Sequence, residues 1–459
     1  MKKLLPFVLL TACAVGPNYY RPETPTPEYW GEGKCEEMAQ EPWVCWWKCL
    51  NDPLLEELIE RAVACNLDMQ VAEAKLLEAR GHYKHVRGKL WPRLALNYGM
   101  SEYHISGDYP FVVTTDRFPA FEVNFDAHWE LDIFGARRRL QAAGAQMQTE
   151  EEKRRCVLIS LISEVARNYI DLRNLQAQKI ITEKMLTVHK EMLELTQLKA
   201  EETLISDNDY ARGHAKVLEM ETKLDHIDEA VKHALNHISL LVSDLPGACQ
   251  DRLAVPRPIP SVPCTLDVGL PSTLVCRRPD IRQAERWLAH TTAEVGIVFS
   301  EFFPKFDLSA HVGYWSQVLK TLFDKTNESD KYHFFIKWPF FEGGSVLAKL
   351  ATGRAIQRAA LYEYGKSVLE AFHEVENRLL TYHKEGKRLR QHMGIVLDRC
   401  TLLTGAEALK EQGLVSNFQV SQEKLTVFES ELRRIESQAS LTTSYVALYK
   451  ALGGGWEAF

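Results

Sequence analysis

The sequence predicts a mainly helical chain that also contributes four strands to a membrane β-barrel, built as two copies of one unit. Three observations carry this. Landmarks recur at near-constant spacing, four segments alternate apolar and polar residues over about ten positions, and two very long stretches lack proline.

The spacing comes first. Asp68-x3-Ala72-Glu73 returns as Asp280-x3-Ala284-Glu285, and Pro92 returns as Pro304, both 212 residues on. Glu164-Val165 returns as Glu374-Val375, and Ser206 as Ser416, both 210 on. Periods of this size lie far above those of solenoid repeats. Residues 54–245 thus form a first repeat and residues 272–452 a second. Between them, residues 246–271 hold Pro246, Pro256, Pro258, Pro260, Pro263 and Pro271, a composition that excludes helix and central strand. This stretch reads as an extended connector, and residues 453–459 as a short tail.

Each repeat has the order helix, strand hairpin, very long helix, tight turn, long helix. A helix is expected over 54–89 from Pro53-Leu54, and its counterpart starts where Pro279 meets Asp280. Strands are expected at about 91–104, 117–130, 304–316 and 331–341. In the second, Phe121, Val123, Phe125, Ala127 and Trp129 interleave with Glu122, Asn124, Asp126, His128 and Glu130. In the third, Phe306, Leu308, Ala310, Val312 and Tyr314 interleave with Lys305, Asp307, Ser309, His311 and Gly313. Leu94, Leu96, Tyr98 and Met100 alternate likewise. So do Tyr332, Phe334, Ile336, Trp338 and Phe340, although Phe335 breaks that polar face. A soluble sandwich also alternates. The strand length, the aromatics toward the ends and the full charges on the polar faces favour membrane strands around a wet lumen. Lys or Arg on a lipid face costs up to about 2–4 kcal/mol. Glu122, Asn124, Asp126, His128, Asp307 and His311 are therefore candidate lumen residues.

Four strands cannot close by themselves. Membrane barrels begin at about eight strands, and an open edge is excluded from lipid. Two chains would give eight strands with a filled interior, whereas three give twelve and an open one. A trimer is expected.

The proline-free stretches, from about Ala136 to Leu204 and over 344–412, would make helices on the order of 100 Å long. Charges run along both, and Leu158, Leu161, Val165, Tyr169 and Leu172 leave only a narrow apolar stripe. That pattern suits helices wet on two faces and packed at their seams. A plain antiparallel coiled coil would fit too, but leaves the strands unexplained. Ser206-x-x-Asp209 and Ser416-x-x-Gln419 look like capping boxes that start the returning helices.

At the N-terminus, Lys2 and Lys3 precede an apolar run from Leu4 to Leu10. Leu10-Thr11-Ala12-Cys13 resembles the bacterial lipoprotein cleavage box. Residues 1–12 would then be a signal peptide, Cys13 the acylated first residue, and 13–53 an anchor and extended segment. Several acyl chains hold a protein stably on a membrane. Ala14 after the cysteine resembles lipoproteins sorted to the outer membrane. No run approaches the roughly 20 apolar residues of a spanning helix.

Other classes fit poorly. The formal charge of −7 argues against nucleic-acid binding. No phosphate loop, dinucleotide fingerprint or nucleophile elbow is present, and Gly453-Gly454-Gly455 reads as a helix stop. No enzyme is expected, and no cofactor beyond the lipid on Cys13. His233-x3-His237 has no third ligand and reads as solvated helix histidines; Cys45-x3-Cys49 is a weak zinc signal. Nine cysteines remain besides Cys13, and export permits disulfides without assigning their pairs.

Trp129-Glu-Leu-Asp-Ile-Phe-Gly135, Gly269-Leu-Pro-Ser-Thr-Leu-Val-Cys-Arg-Arg-Pro-Asp-Ile281, Phe302-Phe-Pro304, Phe341-Glu-Gly-Gly-Ser345 and Leu448-Tyr-Lys-Ala-Leu-Gly-Gly-Gly-Trp456 resemble the TolC-like outer-membrane factors. The likeness is to the lipoprotein branch serving resistance-nodulation-division pumps, and it covers the whole chain. It implies a homotrimer in outer-membrane lipid with a twelve-stranded β-barrel and a twelve-helix periplasmic α-barrel. It also implies passive conduction from periplasm to exterior, a periplasmic adaptor and an inner-membrane resistance-nodulation-division transporter. A type I secretion outlet and a non-conducting envelope lipoprotein are the alternatives; the anchor and the pump-branch segments favour efflux. The periplasmic tip and gate would comprise Thr203, Ser206, Asp207, Asp209, Ser416, Phe418 and Gln422. Thr203 stands where relatives carry glycine. Phe418 and Gln422 stand where relatives narrow the tip with leucine and aspartate, which implies a more apolar constriction. Asp207 and Asp209 would supply any acidic charge there. The acidic balance, with Glu122 and Asp126, predicts a mild cation preference.

Overall fold

The computed structural model describes residues 15–27, 30–31, 44–105, 116–201, 207–263 and 271–459. In chain order the first repeat holds α1 (Pro53–Cys65), α2 (Leu67–Gly88), β1 (Arg93–Ile105), β2 (Asp116–Leu131), α3 (Ala136–Glu201) and α4 (Asp207–Leu241). After α5 (Gln250–Leu253) come α6 (Pro271–Arg277), α7 (Pro279–Ser300), β3 (Lys305–Ser316), β4 (Glu328–Lys337), α8 (Ser345–Glu411) and α9 (Asn417–Ala451). The duplication shows in the lengths. α2 and α7 are both 22 residues, α4 and α9 both 35, and α3 and α8 are 66 and 67.

Two expectations need correction. The single helix over 54–89 is two helices, because Asn66 turns to extended backbone (ψ 130). Its side-chain oxygen accepts from Met69 N–H at 3.1 Å, starting α2, and its amide donates to Leu241 O at 2.9 Å. The connector is not wholly extended either. One α-turn, α5, forms before Pro256, where no proline intervenes.

The chain divides into two compact units. One takes in Ala74–Glu151, Gln283–Lys366 and the N-terminal stretch to Glu23; the other takes in Thr24–Glu73, Glu152–Arg282 and Ser367–Phe459. The first contains a single antiparallel sheet in the order β1-β2-β3-β4. The two hairpins are thus fused by a β2–β3 ladder running from Phe121↔Ser316 to Leu131↔Phe306. In the same unit, the N-terminal stretch is clamped against α3 and α7. Arg138, 3% exposed, donates to Val15 O (2.8 Å), Gly16 O (3.0 Å) and Asn18 Oδ1 (2.9 Å). Gly16 has a φ of +80, and a Cβ there would collide with Gly296. Tyr19 donates its hydroxyl proton to Glu285 Oε1 at 3.0 Å, and burial with that carboxylate raises the phenol's pKa.

In the second unit, α3 and α4 run antiparallel. Lys179–Asp228 (2.6 Å) and Lys190–Glu221 (2.8 Å) mark opposite progress along the two helices. Trp46, fully buried, stacks on Tyr449 and meets the edge of Tyr445. Asp52 caps α1 through Leu54 N–H and accepts the Tyr169 hydroxyl at 2.6 Å. The connector's carbonyls, which have no ladder to join, are met by side chains. Arg173 and Gln176 donate to Leu253 O and Val255 O, and Thr442 donates to Pro260 O. Among the cysteines, Cys45, Cys49, Cys65, Cys156, Cys249 and Cys400 form no disulfide. Burial pushes the Cys156 thiol up to about 12, which removes its reactivity.

Arg278 explains the Arg-Arg-Pro-Asp segment. It grips Asp280 with two nitrogens (3.0 and 2.6 Å), Glu374 on α8 at 2.8 Å, and the last carbonyl of α9, Ala451 O, at 2.7 Å. Asn66 is its repeat counterpart, and Leu241 O stands where Ala451 O does. Arg278→Met is expected to cost about 1–2 kcal/mol, chiefly by leaving Ala451 O without its donor, since Asp280 and Glu374 stay open to water. A lower urea midpoint for the helical circular-dichroism signal would register it; an unchanged midpoint would show that these bonds add nothing net.

Candidate channel surface and tip

Strand register sorts the side chains before any function is considered. Residues directly opposite share a face, so Asp126↔His311, His128↔Ser309 and Glu130↔Asp307 place the polar series of β2 and β3 together. The contacts agree. Asp126 meets His311 at 3.2 Å, His128 meets Asp307 at 3.2 Å, Lys305 meets Glu130 at 3.5 Å, and Asn97 donates to Asn124 at 3.1 Å. All six sequence-identified polar residues, Glu122, Asn124, Asp126, His128, Asp307 and His311, lie on this one face. The other face is apolar and bare. Leu94 is 75% exposed, Tyr98 71%, Phe125 65% and Tyr332 71%. Charge appears on it only toward the loop ends, at Glu102, His104, Arg117, Glu328 and Asp330. From Phe121 to Trp129 the apolar series spans nine residues, about 27 Å along the strand, within the range of a tilted membrane strand.

Sequence reading missed several partners. His333 lies 6.1 Å from His311, ring centre to ring centre, and Lys331 is opposite His311 on β4. The β2–β3 pairs join residues about 180 positions apart, and no local pattern announces them. Among the described side chains, the polar face sets Arg93, Lys305, Lys331 and Lys337 against Glu122, Asp126, Glu130 and Asp307. On this face, then, Glu122 and Asp126 stand among as many bases as acids.

At the tip, Thr203 and Ser206 lie outside the described residues, and Asp207 is described only as the first residue of α4. Asp209 is exposed and pairs with Arg212 at 3.3 Å, so its charge is partly answered within the chain. Phe418 is 41% exposed, and Gln422 is exposed as well. The second turn has clear geometry. Leu414 N–H reaches back to Leu409 O, Gly413 N–H to Lys410 O, and Gly413 takes a φ of +73. Ser416 then caps α9 by accepting from Gln419 N–H at 3.3 Å. Thr203 is the repeat counterpart of Gly413, and a β-branched residue resists that backbone conformation.

Two stretches, residues 58–238 and 270–454, match the family model described as "Outer membrane efflux protein". The chain belongs to this family. Over 456 residues it is 27% identical to the probable efflux pump outer membrane protein TtgC of Pseudomonas putida, covering 98% of this chain and 94% of the relative. Nodulation protein T of Rhizobium leguminosarum bv. trifolii is 25% identical over 462 residues, covering 98% and 96%. Among solved structures, the outer-membrane channel OprN aligns with a TM-score of 0.88 at 27% identity, covering 97% of this chain and 100% of that one. The open-state MtrE channel of Neisseria gonorrhoeae has the same fold, with a TM-score of 0.82 at 23% identity over 97% of this chain and 99% of its own. The fold is thus that of the TolC-like outer-membrane channels, and the chain is an outer-membrane efflux channel.

Were this balanced face to line the pore, the channel would show a reversal potential near zero in a planar bilayer under a KCl gradient. Glu122→Gln should move it toward anions and Lys331→Gln toward cations. Strong cation selectivity unmoved by either change would place the selecting charges elsewhere.

Proposed function

We propose that three copies of this chain form the exit duct of a tripartite efflux pump, conducting substrates passively from periplasm to exterior. The observation that carries this is the four-stranded sheet, with two unpaired edges, one bare apolar face and one charged face. Sequence and elementary energetics leave it few homes. In water the apolar face would forfeit roughly 1.5–3 kcal/mol for each large side chain left unburied. In lipid the two edges must be paired, and Lys305, Lys331 and Lys337 must face away from the tails. Closure with two further copies meets both demands and leaves a wet interior.

The long helices α3, α4, α8 and α9 would continue that duct into the periplasm, where a periplasmic adaptor and an inner-membrane resistance-nodulation-division transporter supply docking and energy. Asp209, Phe418 and Gln422, with Thr203, Ser206, Asp207 and Ser416, would form its tip. Conduction needs no catalytic step and no cofactor. Acyl chains on Cys13 would tether the molecule to the outer membrane, two residues before the main chain is gripped by Arg138. A type I secretion outlet would use the same duct, but nothing in the geometry favours it.

The deciding experiment measures the mass of the detergent-extracted protein and its planar-bilayer conductance on one sample. A conducting trimer supports the reading; a monomer, or a trimer that stays silent even with Phe418→Ala and Asp209→Ala at the tip, overturns it. Cys13→Ser is expected to abolish the acyl mass on the N-terminal peptide, read by mass spectrometry, while the barrel keeps the protein in the membrane. A wild-type N-terminal peptide beginning at Cys13 without acyl mass would refute the acylation.

A further inference from the structure

β1 and β4 each leave one row of backbone groups unpaired, and the chain itself contains a pattern that would pair them. β1 maps onto β3 by a shift of 212, from Arg93 to Lys305. Their cross-strand partners, His128 and Lys337, are 209 apart, so β2 maps onto β4 by 209. An independent contact agrees. Trp129 donates its indole N–H to Leu90 O at 3.0 Å, and Trp338 donates to Phe302 O at 3.1 Å. These tryptophans are 209 apart and the two carbonyls 212 apart. Each hairpin is closed at its base by the same bond. The β2–β3 ladder joins the second strand of one repeat to the first strand of the next. A β4–β1 ladder between two chains would do the same.

We propose that β4 of one protomer pairs with β1 of the next in the register that sets Phe335 opposite Gly99, His333 opposite Ser101 and Lys337 opposite Asn97. These are the images of Asp126↔His311, Asn124↔Gly313 and His128↔Ser309 under the two shifts. The inference rests on the trimer proposed above and specifies how its protomers join.

Three features of the chain agree with this register. It is even in parity, so the polar face of one chain continues the polar face of the next; a slip of one residue would turn every side chain over. It lays Phe335, the aromatic that interrupts the polar series, across Gly99, and an aromatic covering an edge glycine is a recognised way of pinning register. It also sets Asp330 opposite His104, while Phe334, Ile336 and Trp338 meet Met100, Tyr98 and Leu96 on the lipid side. A slip of two residues one way puts Asp330 against Glu102, two like charges. A slip of two the other way puts Phe334 against Glu102.

The test is a set of double-cysteine variants of the full chain, with every cysteine except Cys13 replaced by serine, oxidised in outer-membrane vesicles. β1 and β4 are opposite edges of one sheet, so any bond between them joins two chains. Opposed Cβ atoms lie about 4.5–5.5 Å apart and diagonal ones about 7–8 Å, while a disulfide spans about 3.5–4.5 Å. Ser101→Cys with His333→Cys should therefore give covalent trimers roughly tenfold faster than Ser101→Cys with Lys331→Cys or with Phe335→Cys. Glutaraldehyde cross-linking of each variant reports trimers independently of register. Trimers whose fastest disulfide forms in a control pair, or in none of the three, overturn the register. Absence of trimers in the wild-type chain by glutaraldehyde overturns the assembly on which it rests.

Discussion

A backbone amide or carbonyl that reaches the bilayer interior without a partner costs several kcal/mol, and this chain presents two full rows of them. β1 and β4 are edges, and the sheet between them is apolar on the side that would meet lipid. No rearrangement within one chain removes both edges, because the order β1-β2-β3-β4 already uses every strand among the described residues. Assembly is therefore a condition of residence in the membrane rather than a later elaboration. The amphipathic faces, the charge distribution and the hairpin-closing tryptophans all serve a sheet that must continue into another copy.

Much of this was legible because the governing patterns are periodic. Period-two alternation located Phe121 to Trp129 and Phe306 to Tyr314, since every second residue meets one solvent and the others another. The repeat was legible because a duplicated helix keeps its length, as 35 residues in both α4 and α9 show. What was not legible is what depends on distant partners. Asn66 breaks a helix because its side chain finds Leu241 O far along the chain. Asp126 meets His311 only through the β2–β3 register, which no local pattern announces. Arg138 gave no local signal, since its partners are main-chain oxygens that any sequence would offer.

The two repeats have also diverged where they are most alike in geometry. At the same corner, one uses Asn66 to hold the end of α4 and the other uses Arg278 to hold the end of α9 while binding two carboxylates as well. The amide satisfies one carbonyl and caps one helix; the guanidinium adds charge pairing to a third element. The turn sequences differ likewise: Gly413 takes a left-handed conformation, and the first repeat carries Thr203 at the corresponding position. A ring of three such chains would alternate two chemistries around its circumference.

The clamp on the N-terminal strand has a mechanical consequence. A tether at Cys13, were one attached, would pull on a chain whose first fixed points among the described residues are the carbonyls of Val15 and Gly16, held by Arg138, and then Tyr19, held by Glu285. Tension on it would reach α3 through Arg138 and α7 through Glu285. Because Arg138 belongs to the first repeat and Glu285 to the second, the strand can be seated only after both have been made and packed. The anchor would be the first part of the chain to leave the cell interior and the last to find its place.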